Sequence, residues 1–260
     1  MNLPSGKDAT SLLNKVPEVT LGFWIIKVMS TTVGETVADY LAVDAGFGQG
    51  MTTAVMGALL AVALLTQLRS RRYVPWMYWL TVVLVSVVGT QITDTLTDRM
   101  GVSLYASTAA FAAALVAIFA IWFMNERTLS IKSIDTRARE LFYWSAILCT
   151  FALGTAAGDL ATEALGLGFQ WGVVAFGALI ALTALAFYTG ANMVLTFWIA
   201  YILTRPLGAA LGDLLSQSPT YGGLGLGAKM TSVLFLVVIV GLVAFAQRDA
   251  NRAPSSASAH

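Results

Sequence analysis

From about residue 19 onward the chain alternates long apolar stretches with short polar ones. Eight of the apolar stretches approach the roughly 20 residues a helix needs to cross a bilayer. They run over 19–41, 50–68, 75–97, 104–124, 141–162, 169–188, 192–214 and 226–247. The first and seventh carry more internal charge than the other six, with Lys27, Glu35 and Asp39 in one and Arg205 and Asp213 in the other. A polar segment, 1–18, precedes them; its first fifteen residues lack the apolar core and small-residue cleavage site of a secretory signal, so it is expected to stay in the mature protein. Residues 248–260 read as a short disordered tail. The expected fold is therefore an all-α membrane protein of eight transmembrane helices.

Charge divides the connections into two sets. The N-terminal segment, the segments near 69–74 and 125–140 and the C-terminus hold Lys7, Lys15, Arg69, Arg71, Arg72, Arg127, Lys132, Arg137, Arg139, Arg248 and Arg252. The opposite connections hold Arg99, with Lys229 near that edge. Positive residues mark the cytoplasmic side, so both termini are expected in the cytoplasm, and an even number of helices agrees with that. In a bacterium the protein would sit in the cytoplasmic (inner) membrane, with the lipid bilayer as its first partner.

An ungapped pattern recurs four times in this framework. Each unit has an aromatic-Trp pair, a Gly ten residues after the Trp and an Asp five residues after the Gly. The units are Phe23-Trp24, Gly34, Asp39; Tyr78-Trp79, Gly89, Asp94; Tyr143-Trp144, Gly154, Asp159; and Phe197-Trp198, Gly208, Asp213. With two helices per unit, over about 19–74, 75–138, 139–191 and 192–247, successive units enter the membrane in the same direction, as parallel repeats. All four aspartates then lie on one side. A rise of 1.5 Å per residue sets each about 22 Å from its tryptophan, which places Trp24, Trp79, Trp144 and Trp198 as interfacial anchors at the cytoplasmic belt. The hairpins can close around one pseudo-fourfold axis or pack as two pairs. Gly34, Gly89, Gly154 and Gly208 each have a small residue or Thr four positions on, a pattern that suits close helix packing.

The segments KVPEVTLGFWIIKV, TTVGET with Asp39, LGTAAGD and TRPLGAALGDLL carry a resemblance. Over about 16–247 the chain resembles bacterial multi-pass membrane proteins built from four tandem two-helix repeats of unknown function, each marked by a tryptophan. The resemblance implies the architecture and brings no substrate with it.

Composition narrows the chemistry. The sequence is 57% hydrophobic and 11% charged, with one histidine, the terminal His260, and one cysteine, Cys149. These exclude a disulfide within the chain, a His/Cys metal cluster, a Ser-His-Asp triad and a Cys-His pair. A net charge of +1 gives no reason to expect nucleic acid, and there is no nucleotide-binding motif. Tyr221 to Gly227, YGGLGLG, lacks the Lys-Ser/Thr of a phosphate loop and reads as a hairpin turn.

What remains is a small set of polar groups within apolar helices. Asp39, Asp94, Asp159 and Asp213 share one repeat position, which suggests a shared site; the alternative is four solvated helix ends. Carboxylates without His, Cys or patterned Met select hard cations such as H⁺, Na⁺, K⁺, Mg²⁺, Ca²⁺ or Mn²⁺, so these four are the candidate metal ligands. Glu35, one turn below Asp39, breaks the symmetry, since its counterparts are Thr90, Thr155 and Ala209. It could carry a coupling ion or neutralise a buried cation. Lys27 could snorkel to the headgroups or act as a charge partner, while Arg205 at its depth needs a carboxylate or carbonyl partner. Pro206 is expected to kink or unwind its helix beside that site. The hydroxyls at these levels more often bond back to their own helices than to a substrate.

The expected function is a transporter or channel for a hard cation, with an outer acidic site and a deeper Glu35–Arg205 gate, and not an enzyme. No cofactor is expected apart from a bound hard cation. A small organic cation is a variant substrate, and a homodimer is one assembly compatible with the pattern. The alternative from another class is an intramembrane enzyme with an aspartate dyad, suggested by Gly212-Asp213; against it, Ala210 stands where a Gly-x-Gly-Asp motif has its first glycine.

Overall fold

A computed structural model describes residues 14–70 and 72–252. Among them are eight long α-helices: α1 (Leu21–Asp39), α2 (Gly48–Arg69), α3 (Pro75–Asp94), α4 (Leu104–Glu126), α5 (Arg137–Asp159), α6 (Gly168–Tyr188), α7 (Met193–Ser216) and α8 (Ala228–Arg252). Lys7, Arg71 and residues 253–260 of the expected tail lie outside the described residues. The tail expectation is corrected at its start, because α8 continues through residues 248–252.

Seven of the eight helices are long and apolar enough to cross a membrane. The exception is α1, whose 19 residues include Lys27, Glu35 and Asp39. Burial sorts the seven into two kinds. The apolar windows of α3, α5 and α7 are each 61% buried inside the protein, whereas those of α2, α4, α6 and α8 are only 6–22% buried. Helices that turn so much apolar surface outward need lipid around them, so the chain is a multi-pass membrane protein with an inner and an outer layer of helices.

The inner layer is α1, α3, α5 and α7, the first helix of each repeat, and it closes into a ring. Two sets of contacts establish closure, and both step around all four units. First, the aromatic residue before each Trp meets the Trp of the next unit, with ring centroids 5.5 Å apart for Phe23–Trp79, 5.6 Å for Tyr78–Trp144, 6.3 Å for Tyr143–Trp198 and 5.7 Å for Phe197–Trp24. Second, each repeat glycine receives the side chain seven residues after the next unit's Trp. A Cβ placed on Gly34 would overlap Ser86, one on Gly89 would overlap Phe151, one on Gly154 would overlap Arg205 and one on Gly208 would overlap Thr31. The last step in each set joins the fourth unit back to the first. The repeat motif is therefore the ring-closing device, and the arrangement is pseudo-fourfold and not two pairs.

Outer helices hand the chain from one unit to the next. α2 packs on α3, α4 on α5, α6 on α7, and α8 returns to α1. Three hairpin tips turn alike: Gly46, Gly101 and Gly166 each lie 22 residues after the unit's Trp, with φ near +70°, a conformation open to glycine and strained for other residues. The fourth tip departs from this pattern. It uses the turn Pro219–Tyr221 and the YGGLGLG segment, whose backbone N–H groups at Leu224, Gly225 and Leu226 bond the last carbonyls of α7 and its cap.

Two expectations about this frame are corrected. Trp79, Trp144 and Trp198 are buried and Trp24 is half-buried, all within the aromatic ring. They hold the inner helices together and are not lipid-facing anchors, because each indole packs against the aromatic residue of the unit before it. Pro206 does not unwind α7, which runs unbroken from Met193 to Ser216. The proline ring instead lies where Gly154 and Gly158 leave room on α5.

Candidate functional site

At the ring end remote from the aromatic pairs, the backbone changes character at the repeat aspartates. Asp39, Asp94 and Asp159 are each the last α-helical residue before a five-residue π-helical stretch, Tyr40–Asp44, Thr95–Arg99 and Leu160–Ala164. Hydrogen bonds five residues apart mark the change: Ala45 N–H to Tyr40 O at 2.7 Å, Met100 N–H to Thr95 O at 3.0 Å and Leu165 N–H to Leu160 O at 2.9 Å. Such π segments are rare and concentrate at functional positions. Asp213 differs, lying inside regular α-helix and buried at 7% exposure.

The five acids named from sequence come together at this end. Ligand oxygens of Glu35, Asp39 and Asp213 all lie within 4.8 Å of one another. Asp94 and Asp159 face the same cluster, close enough to Glu35 and Asp39 for their charges to interact. The metal-ligand expectation is thereby corrected. The set that meets ligand spacing is Glu35, Asp39 and Asp213, with Asp94 and Asp159 standing back, because Glu35 projects toward the α1–α7 contact where Gly212 leaves room for it.

Arg205 lies below the cluster and is fully buried. Its Nη2 donates to Glu35 Oε2 and Thr155 Oγ1, both at 2.6 Å, and to Thr90 Oγ1. Glu35, Thr90 and Thr155 occupy the same repeat position in units one to three, so the guanidinium of unit four reaches all three other inner helices at one level. The hydroxyls serve it because their own protons bond back to Ser86 O and Phe151 O at 3.1 Å each, leaving oxygen lone pairs free. The Nε and Nη1 of Arg205 find no hydrogen-bond acceptor among the described residues.

Lys27 corrects both readings given to it. It is fully buried, so it does not snorkel, and it pairs with no carboxylate among the described residues. Its ammonium lies 4.2 Å from the ring centroids of both Phe151 and Tyr201. Such a desolvated cation–π contact is worth about 2 kcal/mol. The hydroxyl expectation holds for Ser30, Thr32, Thr36 and Thr204, which bond to carbonyls of their own helices, whereas Ser86 and Thr150 find no partner among the described residues. Thr31 bonds to its own helix as well and also donates to Thr204 O across the ring, at 3.1 Å.

Three features went unread in the sequence. One is a rim of further acids beyond the aspartates, Asp44, Asp98 and Glu163, carried on the π segments. Their spacing of four or five residues after the repeat Asp was visible and could have found them. Another is a buried ion pair at the aromatic end, Lys15 Nζ to Glu140 Oε2 at 2.5 Å, which ties the N-terminal segment across the start of α5. The third is a cavity of about 970 Å³, also at that end, between the N-terminal segment and the ends of α6 and α7, lined by Leu21, Trp24, Phe187 and Met193 among others.

The family model described as a Repeat of Unknown Function (DUF347) matches the chain four times, over residues 22–73, 77–128, 142–190 and 196–249. The chain belongs to this family. Its four matches coincide with the four hairpins that build the ring. No curated protein and no solved structure matches the chain.

Proposed function

We propose that this member of the repeat family is a membrane carrier for a hard cation, which binds at the acidic end of the inner ring. The observation that supports this best is the approach of Glu35, Asp39 and Asp213 to within ligand spacing, with Asp94 and Asp159 around them. Five carboxylates, two buried and three half-buried, against one guanidinium leave excess negative charge, and protons or a cation would neutralise it. Oxygen-only ligands favour Na⁺, K⁺, Mg²⁺, Ca²⁺, Mn²⁺ or H⁺ over soft metals. The rim acids Asp44, Asp98 and Glu163 extend the negative field outward and would raise the local cation concentration.

A carrier fits better than an open channel, because Lys27 and Arg205 put two positive side chains on the inner helices below the site and would repel a cation moving straight through. All eight helices, α1 among them, then span the bacterial inner membrane. The basic residues at the aromatic end support an orientation with both termini cytoplasmic and the acidic end outward. Neutralising Asp39, Asp94, Asp159 or Asp213 to Asn is expected to abolish cation flux in proteoliposomes; full flux in all four variants would overturn the reading. The closeness of Asp39 to Asp213 also suits an aspartate dyad, and cleavage of a labelled transmembrane peptide by the purified protein would favour that enzyme instead.

A further inference from the structure

The inner helices carry a second line of polar groups, between the Arg205–Glu35 pair and the aromatic end. Lys27 Nζ and Tyr201 Oη are both buried and both lack a hydrogen-bond partner among the described residues. Lys27 lies against the faces of Phe151 and Tyr201, and Arg205 shares the Phe151 ring, with its Cζ 5.9 Å from the centroid. The Tyr201 hydroxyl approaches that of Tyr143 without completing a hydrogen bond. Tyr143 in turn is bonded to Tyr78, oxygen to oxygen 2.6 Å. Beyond Tyr78 is Tyr73, half-buried at the end of the ring, with ring centroids 5.8 Å apart.

The repeat provides an internal control on what ring packing alone requires. At the position of Lys27 the other units have Val82, Ile147 and Tyr201; at the position of Tyr78 and Tyr143 they have Phe23 and Phe197. Valine, isoleucine and phenylalanine therefore suffice to pack these places. The ammonium and the phenols add desolvation cost without adding closure, and every one of them can exchange a proton. A metal ion would meet only positive charge and phenols here, whereas a proton could pass from one to the next.

We propose that Lys27, Tyr201, Tyr143 and Tyr78 form a proton pathway between the aromatic end and the Arg205–Glu35 pair, so that the cation is exchanged against protons. The proposal rests on the reading of the acidic end as the cation site. In each hop one group gives up its N–H or O–H proton to the next and takes one from the group before, leaving the chain unchanged after a full passage. The ionisable groups that face Lys27 are Tyr201 and Arg205, both on α7; Glu35 lies two turns further along its own helix, the Tyr78–Tyr143 pair on α3 and α5 lies toward the aromatic end, and α8 offers no ionisable residue between Lys229 and Arg248.

The test uses the full chain in proteoliposomes loaded with a pH-sensitive dye, with Na⁺, K⁺, Mg²⁺, Ca²⁺ and Mn²⁺ offered one at a time. Lys27→Val and Tyr143→Phe each introduce a residue type the chain already uses at that repeat position, and Tyr201→Phe keeps the ring and removes only an unpartnered hydroxyl, which favours folding, and gel filtration in detergent checks it. The wild type is expected to move protons against the transported cation. The three variants should lose this movement at least tenfold while binding the cation with unchanged affinity. Wild-type proton movement in all three, or wild-type cation movement without protons, would overturn the pathway. Absence of cation binding by the wild type would instead overturn the reading of the acidic end, and the exchange proposal with it.

Discussion

The Glu35–Arg205 pair gives the most quantitative expectation. Arg205 is fully buried and the Glu35 side chain is 8% exposed, at 2.6 Å from it. Glu35→Gln leaves the guanidinium with the Thr90 and Thr155 hydroxyls as acceptors and no carboxylate in direct contact, while its Nε and Nη1 are already without partners. Removing one member of a buried ion pair costs about 3–5 kcal/mol, most of it the desolvated charge left behind. Arg205→Met imposes a similar loss by leaving Glu35 beside Asp39 and Asp213 with no cation. The double variant Glu35→Gln/Arg205→Met removes both charges and should lie close to the wild type, since replacing a buried pair by apolar groups is often neutral. Reversible unfolding in mixed micelles, read as a double-mutant cycle, should return a coupling of about 6–10 kcal/mol, the sum of the two single losses when the double variant costs little. Additivity within about 0.5 kcal/mol would refute the claim that the two groups stabilise each other.

Other expectations concern the frame. Gly208→Ala drives a methyl into Thr31, and overpacking of that kind costs about 1–3 kcal/mol; the pair Gly208→Ala/Thr31→Gly should recover part of it, and failure to do so would count against closure of unit four on unit one. In brominated-lipid quenching of single-tryptophan variants, the exposed Trp76 and Trp171 should be quenched, and the buried Trp79, Trp144 and Trp198 protected. Strong quenching of the last three would return them to the lipid interface. Lys15→Ala should destabilise the protein by about 3–5 kcal/mol in the same unfolding assay, because Glu140, at 1% exposure, keeps no counter-charge; an unchanged stability would show that the N-terminal segment does not tie down that end.

The fold was legible in the sequence where the repeat was legible. Aromatic-Trp and Gly recur because each is one half of a contact made four times around a ring, and a repeated contact writes itself as a repeated residue. The other half of the glycine contact was hidden. The side chains that fill the glycine notches are Thr31, Ser86, Phe151 and Arg205, four unlike residues that share only an offset, so their common role emerges with the closed geometry. The same holds at the site. The acids were marked by periodicity, but the partners of Arg205 and the aromatic seat of Lys27 are cross-helix contacts between residues at least 50 positions apart, set by the rotation of each helix about its axis. Tryptophan was misplaced because its preference for the lipid interface is a surface tendency, overridden here by the need of four parallel helices to fill one end of their bundle with large rings.

Cation binding at the acidic end is the central claim, and equilibrium titration of the purified protein in nanodiscs tests it most directly. With Na⁺, K⁺, Mg²⁺, Ca²⁺ and Mn²⁺ titrated separately, the account predicts saturable binding of at least one of them, weakened at least tenfold by Asp39→Asn, Asp213→Asn and Glu35→Gln. Asp94→Asn and Asp159→Asn should weaken it less, since those carboxylates stand outside the close set. Saturable binding with wild-type affinity in Asp39→Asn, Asp213→Asn and Glu35→Gln alike, or no binding of any of the five, would contradict it.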